Sequence, residues 1–150
     1  MFDAGVSHLA RYATRFNAVE INSSFYRRHR AATYARWAAS VPETFRFSVK
    51  MPKAITHAAK LAEPDAALDE FLGDVTALGA TLGCLLVQLP PSLQLDTEIA
   101  ATFFAALRDR FAGPVALEPR HDTWGSPEAD ALFARFQIAR VATQLSFASR

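Results

Sequence analysis

Five short apolar stretches recur along this chain, set apart by longer segments with helical spacing: 18-AVEIN-22, 45-FRFSVK-50, 84-CLLVQL-89, 115-VALEPR-120 and 138-IARVAT-143. Their length and period predict strands, and the spacing between them predicts helices over 31–40, 65–79, 96–112 and 127–136, with one more before the first strand over 5–16. The punctuation agrees. Pro64-Asp65 and Asp96 with Glu98 place carboxylates at helix starts, where the first-turn amides attract them. Gly113-Pro114 stops a helix before a strand, and Ser126-Pro127 combines an N-cap with a proline in the first turn. Strands separated by helices imply a mostly parallel sheet with right-handed crossovers.

The pattern inside the strands separates a barrel from an open sheet. Val19 and Ile21 oppose Glu20 and Asn22, Phe45, Phe47 and Val49 oppose Arg46, Ser48 and Lys50, and Val115 and Leu117 oppose Ala116 and Glu118. One face is apolar throughout, while the other turns polar toward the C-terminal end of the strand. An open sheet covered on both faces would read as nearly continuous apolar runs. A barrel carries polar groups at its C-terminal mouth, where the active sites of such folds lie. No glycine-rich dinucleotide fingerprint or phosphate loop follows any strand. The fold class expected is therefore α/β, a parallel (β/α) barrel of TIM type. About five βα units fall short of the roughly eight strands that close such a barrel, so an incomplete barrel is expected, in a single domain over residues 1–150.

Hydrophobic residues at 51% and charged residues at 21% fit a globular core and exclude a disordered or coiled-coil chain. No stretch approaches the roughly 20 apolar residues of a membrane span, and no secretory leader opens the sequence, which places the expectation in the cytoplasm. The single cysteine, Cys84, lies in an apolar run and reads as a small buried hydrophobe. Charge divides unevenly: residues 1–60 hold ten Lys or Arg against three Asp or Glu, and residues 61–150 hold six against twelve. Such asymmetry can mark a phosphate surface, but the basic residues form no long run, so mutual neutralisation within the fold is the simpler reading and nucleic acid is not the expected partner.

The ordered set VEINSSFYR, FRFSVK, ITH, LGCLLVQLPP, LEPRHDTW and IARVAT resembles the YecE-like family, domain of unknown function 72, over nearly the whole chain. The resemblance implies a TIM-barrel-like fold of bacterial type and supplies no reaction or cofactor. Carried over residue by residue, it singles out Glu20, Asn22, Ser24 and Tyr26, then Lys50 and His57, then Gln88, and lastly Glu118, Arg120, His121 and Trp124. Members open with a strand and loop of the type GTSGW and continue beyond the last strand found here, so the chain resembles an internal portion. Gln144 stands where an Asp is typical, leaving that position's role open. Unpaired outer strands would favour self-association.

Chemistry at the mouth can be read in more than one way. Glu20 and Glu118 suit acid and base work or a divalent cation, or equally an internal ion pair with Lys50 or Arg120. Lys50 suits an anionic ligand better than imine formation, because acidic neighbours keep its amine charged. In 118-EPRHDTW-124, Arg120 suits a carboxylate or phosphate and His121 suits proton transfer, or the pair simply holds the loop. Trp124 is read as a stacking platform or as a helix anchor. His57 lies in 52-PKAITH-57, predicted as a loop, and the four histidines show no zinc spacing. The reading reached is a small polar or anionic ligand at the mouth, bound by Glu20, Asn22, Tyr26, His57, Gln88, Arg120 and Trp124. Glu118, His121 and Lys50 are the candidates for acid and base chemistry, and whether the protein is an enzyme stays open. The alternatives are a metal-dependent enzyme acting on sugars or phosphoesters, and a non-catalytic interaction module or remnant.

Overall fold

In the computed structural model, which describes residues 17–141, each alternating stretch forms a strand because its apolar face has helices to pack against. The strands are β1 (Ala18–Ile21), β2 (Arg46–Lys50), β3 (Leu82–Gln88), β4 (Val115–Glu118) and β5 (Ala139–Arg140), all parallel and in the spatial order β1-β2-β3-β4-β5. Sequential order with crossovers of one hand puts the helices on one face and leaves the other free, which is the winding of a (β/α) barrel; a doubly wound sheet reverses its order. Among the described residues β1 and β5 are the edges of this five-stranded arc.

The helices are α1 (Ser23–Tyr26), α2 (Ala31–Ala39), α3 (Asp65–Val75), α4 (Thr97–Arg110) and α5 (Pro127–Phe136). Their starts follow local chemistry. The Asp96 carboxylate accepts from the amides of Glu98 and Ile99 at 3.0 and 3.1 Å, and Ser126 Oγ accepts from Ala129 at 3.3 Å. Phe47, Val49, Leu85, Val87 and Leu117 are buried against Trp37, Leu68, Phe103 and Phe104 from the helices. Ser48, Lys50, Cys84, Leu86, Gln88, Ala116 and Glu118 occupy the opposite, half-buried face.

Several boundaries differ from expectation. The helix expected over 65–79 leaves α geometry after Val75 and continues as a 3₁₀ segment, Thr76–Thr81, broken at Gly79 with φ +60°. β3 starts at Leu82 rather than Cys84, because Gly83 sits in a register shift against β2, where Phe47 pairs Leu82 and Ser48 pairs Cys84. The 52–57 segment is not a loop: Ala54–Ala58 form a π-helical turn. Residues 5–16, 142–143 and 144 lie outside the described region.

Candidate functional site

The C-terminal ends of β1 and β2 are tied together by one small side chain. β1 stops at Ile21, the chain turns helical at Asn22, and α1 follows at once. Ser24 Oγ donates to the Lys50 carbonyl at 2.6 Å and reaches the Ile21 carbonyl at 3.3 Å, clamping α1 across both strand ends. Ser23 Oγ and His29 Nε2 close the same loop at 2.8 Å.

This clamp sets Phe25 beside the strand that carries Lys50. Lys50 Nζ lies 5.4 Å from the centre of the Phe25 ring, and His57 meets the same ring edge to face at 4.9 Å. Tyr26, 71% exposed, packs against Phe25 at 5.0 Å, and Lys53 Nζ lies 5.6 Å from the Tyr26 ring. The π-helical turn fixes His57 by burying Thr56, whose Oγ1 sits 2.8 Å from His57 Nδ1. Burial first, then the charges of Arg120, Lys50 and Lys53, hold the His57 imidazole below its ordinary pKa.

From β4, Glu118 Oε2 accepts from Arg120 Nε at 3.3 Å and Nη2 at 3.2 Å, a half-exposed pair. Gln88 pairs with Glu118 in register. The fold thus gathers Lys50, His57 and Tyr26 around Phe25, with Arg120 acting on His57 and paired to Glu118, beside which lies Gln88. Phe25 and Lys53 were missing from the sequence reading. Their signals were modest: an aromatic in the loop after β1, and a second lysine three residues beyond Lys50.

Other candidates sit apart. Glu20 pairs with Ser48, and Ser48 with Cys84; Lys50 pairs with Leu86, Leu86 with Ala116, and Gln88 with Glu118. Glu20 on β1 and Glu118 on β4 are separated by β2 and β3, and Glu20 is exposed. Asn22 is exposed and begins α1 without a side-chain cap bond. His121 Nδ1 accepts from the Thr123 amide at 3.2 Å, capping the turn Asp122–Trp124. Trp124 is buried, donates from Nε1 to the Leu93 carbonyl at 3.0 Å and stacks on Phe133 at 6.1 Å, which makes it an anchor for α5. Among the described residues no group of three or more His, Cys, Asp or Glu is gathered to hold a metal ion, so Glu20, Glu118, His57 and His121 form no common centre. Burial pushes the half-buried Cys84 thiol up, away from nucleophilic character.

A cavity of about 600 Å³ adjoins this group, between the loop after β1, the turn after β2 and α3. Phe25, Tyr26, Lys53 and His57 line it on the mouth side. Glu70, Phe71 and Asp74 line it from α3. Arg28 spans to that helix, with Nε 2.7 Å from Asp74 Oδ2 and Nη1 3.0 Å from Glu70 Oε2. The same contacts join the basic first part of the chain to the acidic second part. Burial, then the Asp74 charge, raises the pKa of Tyr34 behind them, so this phenol stays neutral.

Known proteins place this geometry in a family. The chain is 35% identical to the UPF0759 protein YecE of Escherichia coli K12 over 86 residues, 57% of this chain and 32% of that protein. It is 29% identical to the UPF0759 protein YunF of Bacillus subtilis over 131 residues, 83% of this chain and 46% of that one. It therefore spans less than half the length of these relatives. Crystal structures of DUF72 family proteins share the fold: that from Thermotoga maritima has a TM-score of 0.75 at 23% identity over 94% of this chain and 57% of that one. That from Enterococcus faecalis V583 has a TM-score of 0.70 at 23% identity over 91% and 59%. The family model described as protein of unknown function DUF72 matches residues 3–147, and the chain belongs to that family.

Proposed function

We propose that the C-terminal end of the sheet binds a small anionic ligand, held by Lys50 and Arg120 with Lys53 at the rim. The observation that carries this reading is the field at His57. Lys50 and Lys53, from the end of β2 and just beyond it, and Arg120, after β4, all act on one imidazole in the same direction. Like charges repel, and a fold that gathers three of them around a partly buried ring is stabilised by an anion among them. Glu118 offsets them through its pair with Arg120. That pair would open when a ligand carboxylate or phosphate takes the Arg120 fork. Glu118, so released, is the candidate base next to the ligand, with His57 rather than His121 as the neighbouring group that can exchange a proton.

Titration calorimetry with inorganic phosphate and a panel of small phosphates and carboxylates tests the site. Lys50→Ala and Arg120→Ala are each expected to weaken binding by about tenfold or more, as loss of a charge-assisted contact does. Binding is also expected to weaken as salt rises. If both variants bind every anion of the panel as the parent does, the assignment fails.

A further inference from the structure

We infer that the cavity beside α3 receives an aromatic ring carried by the anion, so that the ligand class is an aryl or heteroaryl phosphate or carboxylate. This rests on the anion reading above and narrows it. The cavity and the cationic group share a wall: Phe25, Lys53 and His57 line the cavity, while Lys50 stands over the Phe25 ring and Arg120 and Lys50 act on His57. A molecule whose charged end sits at Lys50 and Arg120 therefore has a neighbouring space for its remaining body.

The size and surface of that space favour a ring. About 600 Å³ lies in the range of small-molecule pockets, far more than a bare phosphate or acetate fills. Phe25, Tyr26 and His57 present three rings in edge-to-face contact along one side, at 5.0 and 4.9 Å from the Phe25 centre. Ring groups so arranged offer both faces and edges to a further aromatic. Ile55 and Phe71 continue the apolar lining toward α3. Tyr26 is 71% exposed and lines the cavity, so its ring is open to a ligand there. On the α3 side Arg28 pairs with both Asp74 and Glu70, which draws these carboxylates toward the guanidinium.

Calorimetry with phenyl phosphate and inorganic phosphate on the same protein tests the inference. Phenyl phosphate is expected to bind about tenfold tighter or more, the scale that burying one ring's apolar surface supplies. Ala58→Trp, at an exposed position on the cavity lining, and Tyr26→Ala, which removes an exposed ring, are each expected to bring the ratio of the two affinities close to one. Equal affinities in the parent protein, or a preference that survives both variants, would overturn the aromatic ligand while leaving the anion reading intact. Failure of both probes to bind would overturn the two together.

Discussion

His57 is the residue whose behaviour reports most on the site. Its imidazole lies below the ordinary value because burial and then Arg120, Lys50 and Lys53 oppose its charge. The linkage follows from that direction. An unfolded chain binds the proton more readily than the folded one, so stability rises with pH between the lowered folded pKa and the ordinary value near 6.5. The contribution is present in full above about 6.5 and is lost as the pH falls through the folded pKa. In an NMR titration, Arg120→Ala is expected to move the His57 transition upward, and saturating phosphate to move it upward as well, since each reduces the net positive field. A transition unmoved by both changes would show that the three cations do not act on this ring. At the same scale, the structural alternatives that the sequence left open for His121 and Trp124 have contacts behind them. Both stand in a polar, aromatic cluster after a strand, yet one caps a turn through Nδ1 and the other is buried with its N–H bonded to Leu93.

Among the elements, the end of the sheet opposite the site depends on an arginine that no motif announced. Arg108, in the last turn of α4, donates from Nε to the Phe136 carbonyl at 2.8 Å and from Nη2 to Gln137 at 2.8 Å. Its Nη1 reaches the carbonyls of Phe111 at 3.2 Å and Gly113 at 2.6 Å. It thus closes the C-terminal ends of α4 and α5 together, satisfying carbonyls that a helix end leaves without partners. Arg108→Met is expected to cost about 2–3 kcal/mol in chemical denaturation, the scale of several charge-assisted bonds lost with their carbonyls left half-buried. Arg108→Lys is expected to recover only part, because an ammonium lacks the planar fork. A midpoint unchanged in Arg108→Met would show that water serves those carbonyls equally well. Gln137 terminates α5 with φ +57°, a left-handed position usually given to glycine, so sequence punctuation marked the start of this helix through Ser126-Pro127 better than its end.

For the whole molecule, the open question is what meets the two edges and the free face of the sheet. Among the described residues β1 and β5 each pair on one side only, and the face with Cys84, Leu86 and Ala116 is half-buried. Exposed edges and apolar sheet faces are templates for association. The 150-residue chain is expected to self-associate with increasing concentration in sedimentation velocity. A single monomer boundary across the micromolar range would count against it. The uneven charge along the sequence is offset within the fold where Arg28 reaches Glu70 and Asp74.

The sequence by itself determined the strands, the parallel α/β class and the helix starts at Asp96 and Ser126, because these follow from period and turn chemistry. It also carried the family, through motifs whose order spans almost the whole chain. Only the tertiary structure decided which polar residues share one place. Period two tells that Glu20 and Glu118 face the same side, but strand register sets their distance, and register depends on crossovers and on the Gly83 irregularity rather than on either residue. Likewise Phe25 and Lys53 joined the site because Ser24 binds the Lys50 carbonyl and the turn at Ala54–Ala58 carries His57 to the same ring. Such contacts between segments are made by packing in three dimensions, and no local pattern encodes them.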